Sequence, residues 1–407
     1  MTRSGRHFLQ IPGPTNVPDR VLGAMHRPTI DHRGPQFAEL AHEVFQGVQE
    51  LFQTRGRVAI FPSSGTGACE AALVNTLSPG DRILIMETGW FSHVAWRAVA
   101  IRLGLAVEYV PGTWRRGASP EDLDACLSAD RAHTFKAVVV VHNETSTGVI
   151  SPIAQLRAVM TRLRHPALLI VDTISSLASI DYRHDEWGVD VTVTGSQKGL
   201  MLPPGLGFNA ISERAIEAGT SARLPRSYWD WQEMFKHNEQ GFFPYTPATN
   251  LLFGLREAVA MLREEGLANV FRRHTRHGEA TRAAVRAWDL EIFCEDPRAY
   301  SDAVTAVMVP DGANADLVRE GILEQFDMSL GAGLGKLAGK VFRIGHLGSF
   351  NDLMLAGTLS GVEMGLHLTR IPHKDGGVTA ALKSLLSSNE TRDAGSRPTA
   401  AEMTNVR

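Results

Sequence analysis

The chain has 407 residues, 43% of them hydrophobic and 21% charged, with a formal net charge of −3. That length predicts two or three packed units, and the near-neutral balance leaves no electrostatic footprint for nucleic acid or for a membrane surface. Three widely spaced cysteines (Cys69, Cys126 and Cys294) argue against a disulfide framework or a metal site. With no apolar span of roughly 20 residues and no signal peptide at the N-terminus, a cytoplasmic protein is expected.

Residues 1–35, rich in Pro and Gly around Ile11-Pro12-Gly13-Pro14-Thr15, read as an ordered arm with neither strand nor helix. Apolar spacing predicts an amphipathic helix over Phe37–Gln53. Seven short apolar runs then alternate with helical text: Val58–Phe61, Arg82–Met86, Ala106–Val110, Ala137–Val141, Leu168–Val171, Val189–Thr194 and Gly207–Ile211. Continuous apolar runs of this length suit strands buried between helix layers, so an α/β domain with a mainly parallel seven-stranded sheet is predicted over residues 36–255. Long helical text over 251–288, β-like pieces at Ala303–Val309 and Val341–Ile344, and a helix from Ala315 to Gln325 predict a smaller α+β domain over 256–386. The polar stretch 387–407 is expected to be disordered.

Four motifs carry chemistry. Phe61-Pro62-Ser63-Ser64-Gly65-Thr66-Gly67 follows a strand and opens a helix, which makes it an anion cup or an ordinary N-cap. Asp172 ends one predicted strand, and Lys198, in Gly195-Ser196-Gln197-Lys198-Gly199, stands at the mouth of another. A lysine in that Gly-rich, apolar setting is expected to be partly desolvated and nucleophilic. Arg343 interrupts an apolar strand, where its planar fork suits either a substrate carboxylate or a structural salt bridge. Gly331-Ala332-Gly333-Leu334-Gly335-Lys336 lacks the completing residues of a dinucleotide or phosphate loop and reads as a flexible turn.

Together Ser64-Gly65-Thr66-Gly67, His142-Asn143-Glu144-Thr145-Ser146-Thr147-Gly148, Val171-Asp172, Gly195-Ser196-Gln197-Lys198-Gly199 and Arg343-Ile344-Gly345-His346-Leu347-Gly348 resemble the class V aminotransferases of the fold-type I group. These enzymes depend on pyridoxal 5′-phosphate (PLP), and the wording is most similar to the alanine/serine/aspartate–glyoxylate branch. The resemblance implies that Lys198 holds PLP and moves the α-proton, and that Asp172 pairs with the pyridine nitrogen. It places Phe91 on the cofactor ring, Thr145 at the 3′-oxygen, and Thr66, Gly67 and Gln197 on the phosphate, with Ser64 and Gly65 also among the cofactor-binding residues. Thr246 would reach the phosphate of a neighbouring subunit, implying a homodimer with shared active sites, and Arg343 would grip the substrate carboxylate. Phe243 departs from the tyrosine often found in relatives.

The implied reaction transfers an amino group from serine, or less readily from aspartate or alanine, to glyoxylate, giving glycine and a 2-oxo acid. Other readings are a cysteine desulfurase, which Gln197 and the setting of Cys294 disfavour, and a nucleotide-binding dehydrogenase. The nearest dinucleotide fingerprint, Gly205-Leu206-Gly207-Phe208-Asn209-Ala210, leads into a strand where a helix is needed.

Overall fold

The computed structural model describes residues 5–396. Its strands, in chain order, are β1 Phe8–Gln10, β2 Arg57–Ser63, β3 Arg82–Met86, β4 Ala106–Val110, β5 Phe135–Val141, β6 Asn143–Glu144, β7 Val149–Ile150, β8 Leu168–Asp172, β9 Val191–Gly195, β10 Gly205–Ile211, β11 Glu291–Ile292, β12 Val304–Met308, β13 Met328–Ala332 and β14 Val341–Gly345. All seven apolar runs become strands of one sheet, ordered β2-β10-β9-β8-β5-β3-β4. Neighbours from β9 to β4 run parallel, while β10 is antiparallel to both β9 and β2. Every residue of β8 and β9 is buried. Burial on both faces is why β8 reads as an apolar run up to Asp172, and why β9 alternates valine only with the small, β-branched threonine.

The register carries the functional consequence. Val141, the last residue of β5, lies opposite Asp172, the last of β8, and Asp172 lies opposite Val193 on β9. Three carboxyl-terminal strand ends therefore meet at one edge, where open α/β sheets place their sites.

A second sheet, ordered β1-β13-β14-β12-β11, forms the smaller unit, with the helices Ala315–Phe326, Asp352–Leu368 and Gly377–Ser396. The arm strand β1 joins it by pairing in parallel with β13.

Several expectations are revised. The arm holds a helix, Asp19–Met25, because Val21 is fully buried and packs close to Gly254 of the helix Thr249–Glu265. The boundary expected at 255 falls inside that helix, and the first apolar core continues to Val270. Gly331 and Ala332 belong to β13 rather than to a flexible turn. At Gly331 a Cβ would stand 2.8 Å from Pro12 Cδ and 3.0 Å from Arg343 Cβ, so the glycine serves close packing of arm on sheet. The last helix runs to Ser396, into the stretch expected to be disordered, since extending a nucleated helix costs little per residue. The rest of that stretch, 397–407, lies outside the described residues.

Candidate active site

At the three strand ends is a cavity of about 270 Å³ whose lining includes Ser64, Gly65, Thr66, Phe91, Thr145, Asp172, Gln197 and Lys198. The sequence motifs, scattered over 135 residues of chain, thus converge on one space. Gly67 lies one residue farther along the same helix N-terminus, where its N–H donates to Ser64 Oγ at 3.4 Å. Ser64 is therefore an N-cap, and the anion-binding and capping readings are compatible here.

Asp172 ends β8 with both oxygens engaged. Oδ1 accepts from the Ile174 N–H at 2.9 Å, and Oδ2 accepts from Trp96 Nε1 at 2.9 Å. Burial pushes its carboxyl up to about 6, against the lowering by these two donors. Each oxygen keeps a second lone pair, so a cation arriving from the cavity would favour the ionised form. Trp96 was missed by sequence reading, although it lies in the same aromatic segment as Phe91. Removing its donor, as in Trp96→Phe, is expected to raise the Asp172 pKa by about one to two units. The acidic limb of the activity–pH profile then moves to higher pH, and an unmoved limb would show that this hydrogen bond does not tune the carboxylate.

Lys198 lies three residues beyond the end of β9 and is only 8% exposed. Burial first, and the nearby Arg343 charge second, bring its ammonium down to about 7, with Asp172 opposing. Its amine donates to the Pro12 carbonyl of the arm. Thr15 clamps the same loop, donating through its N–H to Gln197 O at 3.0 Å and through Oγ1 to Lys198 O at 3.1 Å. Gly13, at φ +100°, packs directly on the lysine side chain, where a Cβ would collide. The arm is thus a wall of the site.

Phe91 opens a π-helical turn, Phe91–Trp96. Its entry is fixed by Glu144, a fully buried carboxylate accepting from Phe91 N at 3.3 Å, Ser92 N at 3.0 Å and Ser146 Oγ at 2.6 Å. A carboxylate at free N–H groups where a helix begins is electrostatically favoured. Thr145 Oγ1 donates to Ser175 Oγ at 2.6 Å, and Ser175 Oγ in turn donates to Asn143 O at 2.7 Å. Ser175 was missed, and Asn143 and Glu144, though part of the His142–Gly148 motif, were given no role, since all three act through contacts between elements.

Arg343 sits on β14, buried, with Nε donating to Ala332 O at 2.7 Å and Nη1 to Thr145 O at 2.8 Å. Burial lowers its guanidinium to about 10. No carboxylate pairs with it among the described residues, so the structural salt-bridge reading fails here. Thr246 is not brought into the cavity; it is exposed on the loop before the helix Thr249–Glu265. Phe243 is buried, with its ring 6.0 Å from Phe37 and 5.7 Å from Phe45, a packing role that needs no hydroxyl. Gly205-Leu206-Gly207 lies inside antiparallel β10 rather than in a strand-to-helix loop, which removes the dinucleotide-binding reading.

Residues 8–333 match the family model for class-V aminotransferases. The chain belongs to the class-V aminotransferase family. It is 47% identical to the serine–glyoxylate aminotransferase of Methylorubrum extorquens, over 95% of this chain and 98% of that protein. It is 46% identical to the L-aspartate–glyoxylate aminotransferase of Paracoccus denitrificans, over 91% and 94% respectively. Among solved structures, the ureidoglycine–glyoxylate aminotransferase of Bacillus subtilis superposes with a TM-score of 0.86 at 29% identity, covering 94% of this chain and 99% of that one. Arg343 lies beyond the family match, so its link to the site rests on the bond it makes to Thr145 O.

The residues present fit the PLP on which this family depends. The cavity offers a buried amine at Lys198 and a buried carboxylate at Asp172. It also offers a helix N-terminus at Ser64–Gly67, which suits a phosphate. Gln197 Oε1 and Asn143 Oδ1 are buried without partners among the described residues, and both residues line the cavity. Turning the Gln197 amide over presents an N–H to a phosphate oxygen. Among the described residues no helix is long and apolar enough to cross a membrane.

Proposed function

We propose that this chain is a PLP-dependent transaminase that takes the amino group of serine, with aspartate next, and delivers it to glyoxylate to form glycine. The observation that carries the reading is the meeting of Lys198 and Asp172 in one cavity beneath the arm. The similarity to serine– and aspartate–glyoxylate aminotransferases supports the substrate class.

PLP, when bound, supplies an aldehyde carbon and a protonated pyridine ring that spreads the charge left by a departing α-proton. Everything else falls to the chain. Lys198 would hold the cofactor through Nζ and is placed to accept and return the substrate α-proton at that same atom. An amine whose pKa lies near 7 is suited both to accept and to return a proton. Asp172 holds the positive charge on the pyridine nitrogen, and Trp96 and the Ile174 N–H orient its two oxygens. Phe91 walls one face of the ring, Thr145 binds the ring oxygen, and Ser64, Gly65, Thr66, Gly67 and Gln197 hold the phosphate.

Arg343 would bind the substrate carboxylate. Two of its nitrogens are fixed on carbonyl oxygens, while Nη2 has no partner among the described residues. The exposed position of Thr246 suits contact with a second copy of the chain, so a homodimer with shared sites is part of the proposal. Solvation in the cytoplasm, rather than a membrane, is the expected setting.

A donor panel tests the reading. The PLP-loaded enzyme is mixed with serine, aspartate, alanine or glutamate, and the loss of the cofactor's visible band is followed. Serine is expected to react fastest. In the same panel Arg343→Lys should slow all donors alike, because an ammonium cannot reproduce the planar fork. Glutamate reacting fastest would overturn the substrate assignment, and an effect limited to one donor would move Arg343 to side-chain recognition.

A further inference from the structure

Far from the cavity, at the C-terminal end of the helix Asp352–Leu368, two histidines and an aspartate converge. His367 Nε2 lies 2.9 Å from Asp375 Oδ1, and His373 Nε2 lies 4.0 Å from the same oxygen. The two imidazole rings meet edge to face with centroids 4.5 Å apart, and the three donor atoms all lie within 4.8 Å of one another.

His373 is the telling member. Its side chain is only 5% exposed, and Nδ1 lies 2.7 Å from the Ile371 carbonyl. A carbonyl can only accept, so Nδ1 carries the hydrogen and Nε2 is the nitrogen left to bind a ligand. That Nε2 is buried and has no hydrogen-bond partner among the described residues. A buried ring nitrogen facing a carboxylate oxygen calls for a cation between them. A backbone carbonyl holding Nδ1–H is also the support that orients metal-binding histidines and fixes their tautomer. The adjacent cation does not compete, because Lys374 turns away to Asp289 Oδ2 at 3.0 Å.

The backbone around the cluster is fixed from within. Glu363, one helical turn before His367, accepts from Gly376 N at 3.2 Å, from Val378 N at 3.0 Å and from Trp288 Nε1 at 2.7 Å. The loop bearing His373 and Asp375 is thereby tied to the helix bearing His367, so the backbone that carries the three ligands is held in place.

We propose that His367, His373 and Asp375 form a binding site for a borderline divalent metal ion of the Zn²⁺ class, clipping the helix Asp352–Leu368 to the start of the helix Gly377–Ser396. Two imidazoles with one carboxylate suit Zn²⁺, whereas an all-oxygen set would suit Mg²⁺ or Ca²⁺. Tetrahedral Zn²⁺, with bonds of about 2.0–2.2 Å, sets its ligand atoms roughly 3.3 Å apart. The exposed His367 and Asp375 side chains are free to close that gap, and water fills the remaining position.

The test is calorimetric titration of the PLP-loaded enzyme with Zn²⁺ alone, with thermal unfolding measured at each metal level. One ion per chain and a raised unfolding temperature are expected, unaffected by millimolar Mg²⁺. His367→Ala and Asp375→Ala change exposed positions and leave the fold intact; each should weaken binding by at least about 10–100-fold and abolish the thermal shift. Binding equal to the parent's in both variants would place the ion elsewhere and overturn the site, as would the absence of Zn²⁺ uptake by the parent.

Discussion

Lys198→Ala is expected to lower transaminase turnover by about 10⁴-fold while leaving the fold unchanged. One atom is asked to do two things, hold the cofactor and move the α-proton, and general acid–base catalysis alone is worth about 10²–10⁴-fold. The variant deletes a buried amine whose ammonium form burial already disfavours, so losing the charge itself costs little stability. It also frees the Pro12 carbonyl and opens space beside Gly13. A small primary amine such as methylamine, added to the variant, should restore part of the proton transfer. Steady-state rates with and without the added amine check this. Turnover within about tenfold of the parent would show that another group is the base.

The second large effect is expected at Asp172. Asp172→Asn keeps the shape and removes the charge, and it also turns one accepting atom into a donor. Ile174 N–H and Trp96 Nε1–H both need acceptors, so one of the two hydrogen bonds is lost whichever way the amide turns. A loss of about 10²–10³-fold in kcat is expected, the scale of deleting one preorganised electrostatic partner. PLP affinity, read by fluorescence titration, should weaken as well. Asp172→Glu, which keeps the charge but displaces it, should be less impaired than the amide. If the amide and the parent differ by only a few-fold in rate, the carboxylate does not hold the ring charge.

The large sheet was legible because its inner strands are buried on both faces, and such burial writes itself as short apolar or β-branched runs such as Ala137–Val141 and Leu168–Val171. Lys198 and Asp172 stood out because each ends such a run with a charge. The reading failed where pairing between distant segments decides the outcome. Gly331 looked like a turn because its reason for being glycine, the close approach of Pro12 and Arg343, comes from elsewhere in the chain. Helix Asp19–Met25 was hidden by flanking prolines and is stabilised by burial of Val21, a tertiary effect.

Trp96, Glu144 and Ser175 share a different reason for going without an assigned role. Each acts on a site residue contributed by another element: Trp96 on Asp172, Glu144 on the turn at Phe91, Ser175 on Thr145. Local pattern carries no trace of such contacts. The metal-ligand cluster of the small unit shows the same gap, because His367 closes a helix while His373 and Asp375 lie on the loop after it.

Borohydride reduction of the PLP-loaded enzyme, followed by proteolysis and mass spectrometry, tests the central claim most directly. It traps the cofactor on whichever amine holds it. The account predicts one added cofactor per chain on the peptide carrying Lys198, and none when serine has first discharged the enzyme. Label on a different lysine, or no label on a protein shown to contain PLP, would contradict it.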